Sequence, residues 1–309
     1  MFGVARTGIA IGAVLAAALG GWTASARAEA ASCPVVHAET LVPGSGVDGW
    51  AENVLVTDGS IWVSRTFGDV VERYDASGRR TESIAVRAPG SIRQGPDGLL
   101  YVTSGDTTAN MIPGAPRTGS VVRFDPQSRA PIARTFAAGL GMPNGLAIDA
   151  HGAVYVADGA LGVLRLRPDG RIDEPWSSRA PKNLAPTATV NGTSANGLVA
   201  VGDDLYLTMT TSLTGRVLRV PIANPAAVTP AADLTAPLPG ILDDLVALDD
   251  TTLAVASTTG QLHFVKLRSR QVCSSTVGVP LSALAAVPGQ RDTVVATSEN
   301  GQIMRLRWS

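Results

Sequence analysis

The 309-residue sequence predicts an all-β fold: a six-bladed β-propeller of four-stranded antiparallel blades, closed by an N-terminal strand. Three observations lead there. A phrase of strand, turn and strand recurs six times; its internal spacing hardly changes while the gaps between copies vary; and helical periodicity is almost absent after the N-terminal segment.

Each copy opens on a small or polar residue and a short apolar strand: Glu52-Asn-Val-Leu-Val, Ser91-Ile-Arg-Gln, Asn144-Gly-Leu-Ala-Ile, Asn196-Gly-Leu-Val-Ala, Asp243-Asp-Leu-Val-Ala and Ala283-Leu-Ala-Ala-Val. Ten or eleven residues later comes the centre of a second strand, at Trp62, Tyr101, Tyr155, Tyr206, Leu253 and Val294. Third strands follow, as in Val70-Val-Glu-Arg-Tyr and Gly162-Val-Leu-Arg-Leu. Gly-containing turns such as Asp58-Gly59, Pro96-Asp97-Gly98 and Pro168-Asp169-Gly170 join them as hairpins. A period of roughly 45 residues is that of a four-stranded blade. A sandwich explains many strands but not six equivalent loop positions, and a parallel αβ fold needs crossover helices that the gaps do not supply.

Closing the ring requires the last blade to take a strand from the start of the chain. Pro34–Val42 can supply it and so hide both sheet edges. The Pro/Ala-rich stretches at 180–190 and 221–239 read as long blade connections. The Thr-, Pro- and Gly-rich excursion Gly105 to Gly119 reads either as a flap over the channel mouth or as a plain surface insertion.

Composition narrows the function. Formal net charge is -1 and lysine occurs only at Lys182 and Lys266, so nucleic acid and anionic membrane have no electrostatic support. Aromatic residues are 5% of the chain, which gives stacking platforms no support either. At the N-terminus, Arg6, the apolar run Ile9 to Leu19 and the small-residue exit Ala24-Ser-Ala-Arg-Ala28 predict an export signal over 1–28, and a secreted or periplasmic single domain over 33–309. A membrane anchor is the competing reading, but the apolar run is short for a span. In an oxidising compartment the two cysteines, Cys33 and Cys273, are expected to form a disulfide joining the closing strand to the preceding blade.

In a propeller the first strand of each blade lines the channel. The repeat phase therefore sets Glu52, Ser91, Asn144, Asn196, Asp243 and Ala283 at equivalent corners. Two carboxylates and two carboxamides converging on an axis need a shared partner, because unpaired buried charge is costly. All donors are oxygens, which favours Ca2+, or Mg2+ or another divalent ion, over zinc or copper. The bland alternatives stay open here: Asn-Gly is a common turn dipeptide, Glu52 read alone is a surface carboxylate, and Asp243-Asp244 can be a solvated corner. A cation that only staples the ring is another.

These residues resemble the family of senescence marker protein 30, gluconolactonases and diisopropyl-fluorophosphatase-like hydrolases, with paraoxonases more distant. The resemblance spans Cys33 to Trp308. It rests on Pro143-Asn-Gly-Leu-Ala-Ile-Asp149 with Gly152-Ala-Val-Tyr-Val-Ala-Asp158, on Ala195-Asn-Gly-Leu, and above all on the order Glu, Asn, Asn, Asp. It implies a divalent ion held by Glu52, Asn144, Asn196 and Asp243. Two departures stand out: Ser91-Ile-Arg-Gln-Gly replaces the Asn-Asp-Gly phrase of sugar lactonases, and Leu242-Asp-Asp-Leu replaces Pro-Asp-Gly.

The chemistry so implied is hydrolysis of a lactone or related ester, a small molecule, by a monomer. The metal polarises the carbonyl, and Asp243 or Glu52 takes the proton of an attacking water, or Asp243 attacks directly, with Asp244 tuning either. Ser91, Arg93 and Gln94 are candidates for contacting substrate, against the plainer reading of Arg93 as a surface residue. The alternatives are a non-catalytic ligand- or protein-binding propeller with structural calcium, and a strictosidine-synthase-like or lyase propeller. His37, His151 and His263 fall in the closing strand, a turn and an outer strand, which gives no Ser-His-Asp or Cys-His arrangement.

Overall fold

Runs of alternating or continuous apolar residues punctuated by Gly and Asp fold as antiparallel hairpins. At Asp58-Gly59 both residues have positive φ, 49° and 71°, as a two-residue primed turn requires. The computed structural model describes residues 33–309 except 113 and 183–186; the expected export signal over 1–28 lies outside the described residues.

Strand β1 (Val36–Val42) precedes the blades. Blade 1 is β2 (Ala51–Thr57), β3 (Ser60–Arg65), β4 (Val70–Tyr74) and β5 (Arg80–Ala85); blade 2 is β6 (Pro89–Gln94), β7 (Leu100–Ser104), β8 (Gly119–Phe124) and β9 (Arg134–Leu140). Blade 3 has three strands, β10 (Pro143–Ile148), β11 (Val154–Asp158) and β12 (Gly162–Leu166), followed by one helical turn, α1 (Glu174–Ser177). Blade 4 is β13 (Gly192–Val201), β14 (Asp204–Ser212), β15 (Arg216–Pro221) and β16 (Thr229–Asp233). Blade 5 is β17 (Leu242–Asp249), β18 (Thr252–Ser257), β19 (Gln261–Lys266) and β20 (Val272–Thr276). Blade 6 is β21 (Leu281–Val287), β22 (Gln290–Ser298) and β23 (Ile303–Trp308), completed by β1.

The propeller therefore has six blades, closed by the N-terminal strand as the sequence predicts. Two details differ. In blade 3 the outermost position holds only a single bridge, Leu166 to Ile172, before Pro175 and α1 take the chain out of strand geometry. In blade 4, part of the expected connection 221–239 is β16, since Thr229–Asp233 pairs with Arg216–Arg219.

Closure is visible in the packing as well as in the pairing. Six apolar clusters fill the six gaps between blades: Trp62 and Val71 of blade 1 pack with Ile92 and Val102 of blade 2, and Ala51 and Val63 close the ring against Ala283 and Val295 of blade 6. Burying one such large side chain contributes about 2 kcal/mol. Cys33 and Cys273 are joined, with a Cα–Cα distance of 5.4 Å, normal for a disulfide. Because Cys273 is in β20, the bond ties the start of β1 to blade 5, and Ser275 Oγ donates to the Pro34 carbonyl beside it, 2.6 Å. All six innermost strands enter the channel from the same face, called the upper face below; the connections between second and third strands, and those between blades, lie there too.

Candidate functional site

Each innermost strand slips its register near the upper face: between Ala51 and Asn53, Pro89 and Ile92, Pro143 and Gly145, Ala195 and Leu198, Leu242 and Leu245, Leu281 and Ala283. A β-bulge leaves one residue out of the ladder and re-aims its side chain. The residues directly after the last upper pair are Glu52, Gly90, Asn144, Asn196, Asp243 and Ser282. These form an upper ring. One residue deeper follow Asn53, Ser91, Gly145, Gly197, Asp244 and Ala283. The four expected metal ligands all occupy the upper ring, whereas Ser91 and Ala283, which the repeat phase set level with them, lie one residue deeper. Gly90 and Ser282 take those two corners.

The two Asn-Gly pairs are not turns: Asn144-Gly145 sits inside β10 and Asn196-Gly197 inside β13. Their glycines let neighbouring inner strands touch. A Cβ on Gly145 would lie 2.0 Å from the Asn196 carbonyl oxygen, and one on Gly197 would lie 2.6 Å from the Asp244 Cα. Thr103 Oγ1 donates to the Asn144 carbonyl, 2.7 Å, and Thr208 Oγ1 to the Asp243 carbonyl, so second-strand hydroxyls hold two corners from behind.

Upper-ring side chains are crowded with negative charge. Glu52 accepts from Trp50 Nε1 (2.5 Å) and from Asn144 Nδ2 (2.8 Å). The same Asn144 nitrogen donates to Asp106 Oδ2, 3.1 Å. Asp106 is a site residue the sequence reading missed; it sits at the root of the 105–119 excursion, held by its own N–H to the Ala88 carbonyl. The signal for it was an acidic residue immediately past a second strand on the upper side, in a segment already singled out. Burial, then the Glu52 and Asp158 charges, push the Asp106 carboxyl well above its ordinary range. Burial also raises Glu52, against its hydrogen bonds from Trp50 and Asn144, with the Asp244 charge adding to the rise. Asp243 is raised well above the usual range by burial, then by Glu52, Asp244, Glu299 and Asp106. Its carboxylate has no hydrogen bond or ion pair among the described residues. Asn196 donates from Nδ2 to Thr210 Oγ1, 2.9 Å, while its Oδ1 is buried with no partner.

One layer down the charges are matched. Arg93 Nη2 reaches both Asp244 oxygens at 3.2 Å, and its Nη1 donates to Asn53 Oδ1 (2.9 Å) and the Ile92 carbonyl (2.8 Å). Asn53 Nδ2 donates to Asp244 Oδ2, 2.8 Å. Arg93 and Asp244 are thus bound to each other inside the channel, Ser91 Oγ is buried without a partner, and Gln94 accepts from Thr57 Oγ1 (2.7 Å) at the opposite end of β6 from the upper ring. Of the three residues expected to touch substrate, none belongs to the upper ring. His263 is buried in β19, its Nδ1 2.7 Å from Ser274 Oγ, remote from the channel.

Among the described residues no three His, Cys, Asp or Glu side chains gather as a metal cluster. The donor set reaches four only through its two carboxamides. An amide oxygen without a partner, beside carboxylates without counter-charge, is the environment that a hard cation offsets.

No protein-family model matches the sequence, and no curated protein matches it. Solved structures do. A gluconolactonase from Xanthomonas campestris superposes with a TM-score of 0.64 at 14% identity, covering 90% of this chain and 95% of the other. Regucalcin from Agrobacterium tumefaciens, a calcium-binding protein, gives 0.60 at 15%, covering 86% and 94%. Virginiamycin B lyase from Staphylococcus aureus gives 0.57 at 12%, covering 89% and 99%. The fold is one that gluconolactonase and regucalcin share. At such identities the likeness concerns the fold alone, and three differently named proteins on one architecture leave chemistry to the side chains of the channel.

Proposed function

We propose that this protein is a divalent-cation-dependent hydrolase of a lactone or related ester, with Ca2+, or Mg2+ in its place, held by Glu52, Asn144, Asn196 and Asp243. The observation that carries the reading is the uncompensated oxygen ring: a buried Asn196 Oδ1 without a partner beside an unpaired Asp243 carboxylate. The names of the structural neighbours, a gluconolactonase and a calcium-binding regucalcin, agree with it.

When bound, the cation supplies Lewis-acid polarisation of the scissile carbonyl. The remaining work falls to the chain. Asp243, the ring carboxylate without a hydrogen bond, accepts the proton of the attacking water as the water oxygen joins the carbonyl carbon. The acyl C–O bond then breaks, and that proton passes to the departing alkoxide, leaving a carboxylic acid and an alcohol. Glu52 is fixed by Trp50 and Asn144, and Asp244 is bound to Arg93, so neither is free to move a proton. Asp106 adds a carboxylate on the side of Glu52. A disulfide agrees with placement outside the cytoplasm, secreted or periplasmic.

Lactones and aryl esters assayed with and without chelator test the reading. Chelation is expected to abolish turnover and added Ca2+ to restore it, with Asp243→Ala lowering kcat/KM on the order of a thousandfold. Turnover that survives chelation in Asn144→Ala and Asp243→Ala overturns it. A cation that binds without any turnover points to the binding-only propeller.

A further inference from the structure

Nine large apolar side chains are exposed among the described residues, and six of them are on upper-face connections: Val47, Phe67, Ile112, Leu213, Leu238 and Ile241. Several continue directly from channel residues. Ile241 is two residues before Asp243, and Ile112 rides on the excursion rooted at Asp106. Phe67, 62% exposed, packs edge-to-face on Trp50 at 5.6 Å between ring centroids, and Trp50 in turn donates to Glu52. An aromatic pair thus leads from solvent to the candidate metal centre without a polar break. A water-exposed phenylalanine is held in place there, at the face where a ligand must enter.

The charge balance points the same way. Glu52 and Asp243 belong to the upper ring, Asp106 is joined to it through Asn144, and the Glu299 charge acts on Asp243. One divalent cation offsets two of those charges, so the site stays acidic. Two arginines of the inner blades are engaged elsewhere: Arg93 with Asp244, Asn53 and the Ile92 carbonyl, and Arg65 with Glu72, Tyr74 and the carbonyls of Gly49 and Gly301. Arg87, beside Gly105 at the root of the excursion, gives its Nη2 to the Thr118 carbonyl, and Lys182 gives its Nζ to the Ser177 carbonyl, so an anionic substituent meets the ring carboxylates with these cations already engaged.

We infer that the substrate is a neutral ester or lactone with an extended apolar substituent, and that the Trp50–Phe67 pair seats this substituent. The inference rests on the hydrolase reading for its reacting group but has a separate readout. Non-hydrolysable δ-lactams carrying ethyl, hexyl or decyl chains are titrated calorimetrically into the Ca2+-loaded full chain and its Phe67→Ala variant. Affinity of the unsubstituted protein is expected to rise with chain length, by up to about fourfold per methylene seated, the change that burying one CH2 produces. Phe67→Ala is expected to lose roughly tenfold for the decyl ligand and to flatten the dependence on length. A carboxylated lactam is expected to bind more weakly than its neutral isostere. Affinity independent of chain length, or a dependence that Phe67→Ala leaves intact, overturns the apolar seat; equal binding of the carboxylated lactam overturns the charge selection. Length-dependent binding without turnover of the matching lactones supports the seat and overturns the hydrolase reading instead.

Discussion

Asp243 and Asp244 are neighbours in sequence, both buried, and treated in opposite ways. Asp243 faces the upper ring with Glu52 and Asp106 for company, and no donor reaches its carboxylate. Asp244, one residue deeper, receives Arg93 on both oxygens and Asn53 on one. The bulge between Leu242 and Leu245 separates the two layers. The contrast teaches where the molecule holds its unresolved charge. The lower layer is a charge-matched plug that braces blades 1, 2 and 5; the upper layer leaves the Asp243 carboxylate and Asn196 Oδ1 without a partner among the described residues.

The comparison is most severely broken by Arg93→Leu. Removing one partner of a buried pair leaves Asp244 uncompensated, and the expected loss is about 3–5 kcal/mol in urea denaturation. A loss below about 1 kcal/mol would mean that the plug is not what braces the lower layer. His263 sharpens the contrast from outside the channel, because a buried imidazole can resolve its burial by staying neutral. Burial lowers its pKa from 6.5 to about 4. The unfolded chain then takes up a proton that the folded one refuses, so this contribution to stability is complete above pH 6.5 and drains away as pH falls toward 4. The expected cost at pH 4 is about 3 kcal/mol. It is read as the difference in acid-side slope of denaturation midpoints between the natural sequence and His263→Gln, and equal slopes would refute it. The smallest effect tests the upper layer. With chelator present, Asp243→Asn removes one of several mutually repelling carboxylates and is expected to raise stability by roughly 1 kcal/mol. Lower stability in that variant would show the upper ring to be internally satisfied after all.

Sixfold repetition was legible because strand–turn–strand spacing survives loop insertion: Glu52 to Trp62 and Asn196 to Tyr206 are the same interval. Four of the six corners followed from it. Ser91 and Ala283 did not, since a bulge adds one residue without changing residue type, and a one-residue shift turns the side chain to another layer. Composition alone cannot show that Gly90 and Ser282 are the true equivalents of Glu52. Asp106 escaped for a different reason: it lies in a non-repeating insertion, where periodicity has nothing to say. Arg93 reads as an ordinary surface arginine until blade 5 brings Asp244 against it from 151 residues away. The aromatic pair at the channel mouth was hidden by averaging, because a low aromatic fraction says nothing of where two rings meet.

Pairing of β1 with β23 has a consequence for how the chain is made. Val36 meets Trp308, so β1 must wait for β23, the last strand of blade 6, to be synthesised. Every other blade can complete itself from sequence already delivered, whereas this one closes a loop of more than 250 residues at an entropic cost that must be met late. Until then both margins of the ring lack their partner, and loss of Ile303–Trp308 is expected to leave β1 without one.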